Sequence, residues 1–157
     1  MARTREIEIF DTDIPIMIPS LKRFAKSKKQ RLMIDVCLEN LFKHYNASSV
    51  HVLAQEYTDE DKDFLKTKYP EVDFEWHSKR MGIIGTFNRL KDWGCSLGDY
   101  YLHYDDDVKM SQQFDNNPTL HALEHVMNMD LDRVGIVTVP SISIHHFTKA
   151  APRFINL

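Results

Sequence analysis

Apolar positions along this chain switch between a period of two and a helical period, which marks strands and helices in alternation. Glu6 to Phe10 alternates polar with apolar residues and predicts an edge strand. Ile14 to Ile18 is apolar enough for a central strand, with Pro15 near its start and Pro19-Ser20 ending it. Ile34, Cys37, Leu38, Leu41, Phe42 and Tyr45 then recur at the spacing of a helix packed on a sheet, closed by Asn46 and the serines. Val50 to Ala54 predicts the next strand. Thr58, followed by Asp59, Glu60 and Asp61, is a helix start with a hydroxyl cap and acids in the first turn. Tyr69-Pro70 stops that helix. Val72, Phe74 and Trp76 alternate with Asp73 and Glu75 as in a half-buried strand, and a basic connection from His77 to Met81 ends at Gly82.

Ile83, Phe87, Leu90 and Leu97 share a helical face with Gly94, which is expected to let that helix approach the sheet closely. Tyr100 to Tyr104 predicts a short buried strand. Asn117-Pro118 opens another helix whose face is Leu120, Leu123 and Met127, and Val134 to Val139 predicts a last strand stopped by Pro140. Strands this apolar, alternating with helices, predict an α/β fold: a mostly parallel sheet with helices on both faces.

Composition narrows the class only coarsely. With 157 residues, 43% of them hydrophobic, the chain can bury one proper core, and it reads as a single domain over 1–157. A formal charge of -3 argues against a protein coated in basic charge. No run of about 18 apolar residues spans a membrane, the first residues lack the apolar core of a signal peptide, and the expected location is the cytoplasm. Cys37 and Cys95 lie in apolar helical contexts, as buried free thiols do, and the Asn46-Ala47-Ser48 sequon is expected to be idle. Six basic residues and no acid lie between Lys22 and Arg31. They form either a solvated loop or a phosphate-binding patch.

The sharpest chemical signal is the strand that ends in Asp105, Asp106 and Asp107. In open α/β sheets, ligands bind outside the carboxyl ends of the strands. Three adjacent carboxylates repel one another and need a counter-charge where water is scarce. A divalent cation supplies one, and oxygen-only donors suit Mg²⁺ or Mn²⁺. On an extended segment Asp105 and Asp107 share one side and Asp106 faces the other, unless the chain turns there. The alternative is an acidic loop solvated by water.

Ile-Pro-Ile-Met-Ile-Pro-Ser-Leu-Lys-Arg at 14–23, and the stretch from Gly82 through Asn88-Arg89 and Gly98-Asp99-Tyr100 to Asp107, resemble GT-A-fold glycosyltransferases of the family 2 type. The likeness covers roughly residues 12–140. It implies a nucleotide-sugar-binding part over 12–110, with 111–157 as a short remainder of the acceptor-side half, in a GT-A domain that is small or truncated. By this resemblance Pro19, Ser20 and Arg23 line the nucleoside pocket, Glu56 lies near base or ribose, and Arg80 or Arg89 faces the diphosphate. Asp105 lies near the ribose, Asp106 belongs to the same donor site, and Asp107 with Asp105 holds Mn²⁺ or Mg²⁺. The chain departs from the family in the order Asn88-Arg89 and in the fifty residues that follow Asp107. Glu124, Asp130 and Asp132 do not have the setting of a catalytic base, and none is assigned. His145 and His146, adjacent on an extended segment, could supply at most one further metal ligand.

Three functions fit these expectations. The first is a metal-dependent glycosyltransferase using a nucleotide-diphosphate sugar, UDP-linked as the first guess. Its acceptor is a saccharide, a lipid, a protein side chain or a nucleobase; the basic patch keeps nucleic acid open. The second is a non-catalytic or partial nucleotide-sugar-binding module. The third is a metal-dependent nucleotidyl or phosphoryl transferase.

Overall fold

A computed structural model describes residues 10–12, 14–26, 30–47, 49–98 and 101–107. Its elements are β1 (Phe10–Thr12), β2 (Ile16–Leu21), α1 (Met33–His44), β3 (Tyr45–Ala47), β4 (Val50–Gln55), α2 (Asp59–Lys68), β5 (Val72–His77), α3 (Gly82–Leu97) and β6 (Leu102–His103). The expected helix at Asn117, the strand at Val134 to Val139, His145 and His146 lie outside the described residues, as does most of the strand expected at Glu6.

β5, β4, β2 and β6 form a four-stranded sheet in that order, parallel throughout, so the fold is α/β. β1 and β3 pair in parallel as a separate small sheet. From β2 the chain winds outward through β4 to β5, then crosses back over α3 to place β6 on the other side of β2. Right-handed crossovers put α1 and α2 on one face and α3 on the other. Side-chain contacts agree. Gln55 and Glu75 meet Thr86 and Arg89 of α3, whereas Trp76, on the opposite face, lies under Lys66 of α2.

The core on the α1 and α2 face contains Ile16, Ile18, Ile34, Leu38, Leu41, Val52 and Leu65, all without solvent exposure. Each such side chain contributes about 1.5–3 kcal/mol by leaving water. Thr58 caps α2, as the sequence predicts, and Asp61 reciprocates by accepting from the Thr58 N–H. Asp35 in the first turn of α1 accepts hydrogen bonds from Lys68 Nζ (2.6 Å), Tyr69 Oη (2.7 Å) and Arg31 Nε (2.7 Å), fastening the end of α2 to the start of α1.

Cys37 is a buried free thiol as expected, whereas Cys95 is exposed, and four further expectations need correction. First, β2 does not stop at Pro19-Ser20 but runs through both to Leu21, paired with β4 along its whole length. Odd-numbered residues of β2 direct their backbone groups toward β6: Pro15 O accepts from Leu102 N (2.8 Å) and Met17 O from Tyr104 N (3.0 Å). Pro19 has the same parity and no N–H, so it takes nothing from the β4 ladder and ends pairing with β6. The two strands diverge there.

Second, the face expected to bury α3 is buried only at Leu90 and Gly94: Ile83 is 74% accessible, and Phe87 and Leu97 are also open. The inward side is Thr86, Leu90 and Gly94. The sheet face beneath carries Met17 and Leu53, which pack with Leu90, and also His51, Gln55 and Glu75, which need hydrogen-bonding partners. Third, Gly94 accommodates the ring of Tyr101, since a Cβ there would lie 2.5 Å from Tyr101 Cδ1. Fourth, α1 passes directly into β3, where Asn46 pairs with Asp11 of β1.

Candidate functional site

The winding direction reverses between β2 and β6, and the crevice beyond their carboxyl ends is the topological switch point of the sheet. Four segments deliver side chains to it: the end of β2 (Ser20), the β2–α1 connection (Arg23), the residue pair after β4 (Glu56, Tyr57) and the turn after β6 (Asp106, Asp107). Ser20 Oγ donates to Asp106 Oδ2 at 2.7 Å and lies 2.6 Å from Tyr57 Oη. A carboxylate only accepts, so the Ser20 proton goes to Asp106 and Tyr57 donates to Ser20. Arg23 Nη2 makes a very short contact with Asp106 Oδ1 and lies 3.3 Å from Asp107 Oδ2. The result is one continuous chain from Tyr57 through Ser20 and Asp106 to Arg23 and Asp107.

The electrostatics follow from burial. Asp106 is only 4% exposed, and desolvation raises its pKa, with Asp107 adding to the rise while Ser20 and Arg23 oppose it. Arg23 loses some solvation too, but Asp106 and Asp107 outweigh that loss and hold its proton more firmly than usual. Burial likewise pushes the Tyr57 phenol up, keeping it a donor. Asp105 differs from its neighbours. His103 Nε2 lies 3.1 Å from its Oδ1, and that hydrogen bond holds its carboxyl below the usual range.

The extended alternation expected for the aspartates therefore does not hold. The chain turns at Asp106 and Asp107, so these two share Arg23 while Asp105 folds back on His103. Arg23, expected against a nucleoside, is the counter-charge that the acids require. The side chains of Asp105 and Asp107 remain more than half exposed, at 56% and 57%.

The other expected site residues are placed as follows. Pro19 is half-buried one position before Ser20, where it opens the crevice. Glu56 stands exposed at the same sheet edge with a left-handed backbone, φ 63°, its N–H donating to His77 O at 2.9 Å. Arg80 is exposed in the β5–α3 connection, also at the carboxyl edge. Arg89 is engaged elsewhere: its Nε donates to Glu75 Oε1 at 2.7 Å and its guanidinium lies over Trp93, on the sheet face under α3.

Three of the six basic residues of the run are paired within the chain, and Lys28 and Lys29 lie outside the described residues. Lys22 pairs with Asp61 at 2.6 Å, Arg23 with the aspartates, and Arg31 with Asp35 and Glu39. Beside Arg23, residues Phe24, Ala25, Lys26 and Gln30 line an open depression of about 440 Å³. Gln55, at the carboxyl end of β4, orients the start of α3 by accepting from Met81 N (2.7 Å) and donating to Thr86 Oγ1 (3.1 Å). Tyr57 is the member of the central chain that sequence reasoning misses; a tyrosine after a strand carries no signal of its own.

Comparison of the chain with protein-family models, curated proteins and solved structures returns no match. Among the described residues no helix is long and apolar enough to cross a membrane.

Proposed function

We propose that this chain is a GT-A-type glycosyltransferase that binds a nucleotide-diphosphate sugar in the switch-point crevice and transfers its sugar with the help of Mn²⁺ or Mg²⁺. The observation that carries this reading is the convergence of Ser20 and Arg23, from the end of β2, on Asp106 and Asp107, from the end of β6. A cation and a guanidinium at one sheet edge are what a diphosphate leaving group needs, because its negative charge grows as the glycosidic bond breaks. The donor set fits a hard cation: Asp105 and Asp107 offer exposed carboxylate oxygens. Among the described residues no three His, Cys, Asp or Glu side chains form a ready-made cage. Mg²⁺ does not require one, since it is commonly held by one or two carboxylates plus substrate phosphates.

The chain's own residues then have distinct tasks. Asp107, with Asp105, would hold the cation, which would stabilise charge on the diphosphate. Asp106 is buried and hydrogen-bonded to Ser20, so it fixes the turn that aims Asp107 into the crevice. Arg23 neutralises Asp106 and Asp107 in the free protein and would offer its guanidinium to the diphosphate of a bound donor.

The test is a screen of UDP-, GDP-, CDP- and dTDP-sugars for hydrolysis or transfer with Mn²⁺, run beside Asp107→Ala. Sugar release that depends on Mn²⁺ and is lost in the variant supports the reading. Donor binding without release would recast the protein as a binding module, and no binding to any donor would overturn the proposal.

A further inference from the structure

The opposite, amino-terminal edge of the same sheet carries a second arrangement that the switch-point site does not use. Ser49 immediately precedes β4, His51 is its second residue, and Asp73 is the neighbouring residue of β5 in register with His51. His51 Nε2 lies 2.5 Å from Ser49 Oγ, and His51 Nδ1 lies 3.2 Å from Asp73 Oδ2. The edge of the His51 ring packs against Trp93 of α3, with ring centroids 5.0 Å apart. A carboxylate accepts only, so in neutral His51 the proton sits on Nδ1 and Nε2 is left to accept from the Ser49 hydroxyl. His51 is buried and held on both nitrogens, whereas Ser49 is only half-buried and reachable from the sheet edge.

We propose that Ser49, His51 and Asp73 form a second reactive centre, in which His51 activates Ser49 as a nucleophile toward small acyl esters. Spacing permits this because residues two apart on a strand project to one side, and parallel partners in register share that side. Ser49 Oγ attacks the ester carbonyl while its proton passes to His51 Nε2. The tetrahedral intermediate then collapses, the bond to the alcohol breaks, and the alcohol leaves with the proton from His51. Water, deprotonated in turn by His51, releases the acid and restores the Ser49 hydroxyl. Asp73 acts as a positioning residue, fixing the tautomer and supporting the imidazolium. This centre does not depend on the glycosyltransferase reading.

The test treats the full chain with an alkyl fluorophosphonate and maps the adduct by peptide mass spectrometry. In that reaction Ser49 Oγ forms the bond to phosphorus, fluoride leaves, and His51 takes the proton. The adduct is expected on Ser49 and absent in Ser49→Ala. Its rate should fall about 100-fold in His51→Gln and about tenfold in Asp73→Asn. The Asp73 side chain is largely exposed, so Asp73→Asn keeps the test decisive if loss of the buried His51 prevents folding. No adduct at Ser49 in folded protein, or labelling at an unchanged rate in folded Asp73→Asn, would overturn the proposal.

Discussion

Arg23 contacts Asp106 and reaches Asp107 at 3.3 Å, so one guanidinium neutralises two of three consecutive carboxylates across the switch point of the sheet. In the free protein Arg23 stands where an incoming cation would draw the acids, and the two positive charges compete. Arg23→Ala is therefore expected to bind Mn²⁺ alone more tightly, by about threefold or more. The same variant should bind a nucleoside diphosphate about tenfold more weakly, since a charge-assisted hydrogen bond contributes about 1.5–3 kcal/mol. Titrations of Mn²⁺ and of UDP into both proteins check the two directions separately. Weakening of both would mean that Arg23 supports the acids and does not compete for them.

Ser20 is buried between Tyr57 and Asp106 and serves both. Ser20→Ala leaves the phenol and one carboxylate oxygen without their partner, which costs about 1–3 kcal/mol. Urea unfolding should show a lower midpoint at an unchanged slope. Double substitution with Tyr57→Phe should recover part of the loss, because the stranded phenol is then gone.

Asp35 gives a pH dependence with a definite sign. Burial alone would raise its pKa, but hydrogen bonds from Lys68, Tyr69 and Arg31 prevail and hold it below its ordinary 3.8. A carboxylate depressed on folding stabilises the folded state above its unfolded pKa, and that contribution vanishes as pH falls through the folded value. Stability should therefore be level above about pH 5 and decline below it. Asp35→Ala should cost about 1–3 kcal/mol at pH 7, since it strands the buried Tyr69 hydroxyl and leaves the partly exposed Lys68 and Arg31 without their shared carboxylate, and should flatten the acid decline. Urea melts at pH 7 and pH 4 measure both effects.

Gly94 seats the ring of Tyr101, the residue that leads into β6. A methyl group there would force the ring to move, and overpacking of this kind costs about 1–3 kcal/mol. Gly94→Ala should lower the thermal midpoint, and adding Tyr101→Ala should make the methyl group nearly harmless. Equal effects of Gly94→Ala in both backgrounds would contradict the assigned contact.

Most of the framework was legible in the sequence because periodicity reports burial. The α1 stripe from Ile34 to Phe42, the Thr58 cap and the stop at Tyr69-Pro70 emerge where the pattern places them. Pro19 was misread because a proline usually ends a strand. Only the topology shows that its missing N–H faces β6, where it ends one ladder and spares the other. The apolar pattern of α3 reported burial at Leu90, which packs with Met17 and Leu53, and at Gly94, but not at Ile83, Phe87 and Leu97, because part of the inner side is given to Thr86 and Arg89, which answer polar groups of the sheet. Asp105, Asp106 and Asp107 announced a site at a strand end, but which of them is buried depends on a turn that spacing does not encode. Tyr57 and the inward role of Arg23 depend on contacts between residues far apart in sequence, and no local pattern carries them.

The central claim is that the switch-point crevice holds a nucleoside diphosphate through a cation on Asp107. Calorimetric titration of UDP, and then of GDP, CDP and dTDP, into the protein with and without Mn²⁺, beside Asp107→Ala, tests it most directly. Saturable binding of one nucleotide that requires Mn²⁺ and disappears in folded Asp107→Ala is the predicted result. Absence of binding by all four in folded protein, or binding that survives both metal removal and the substitution, would contradict it.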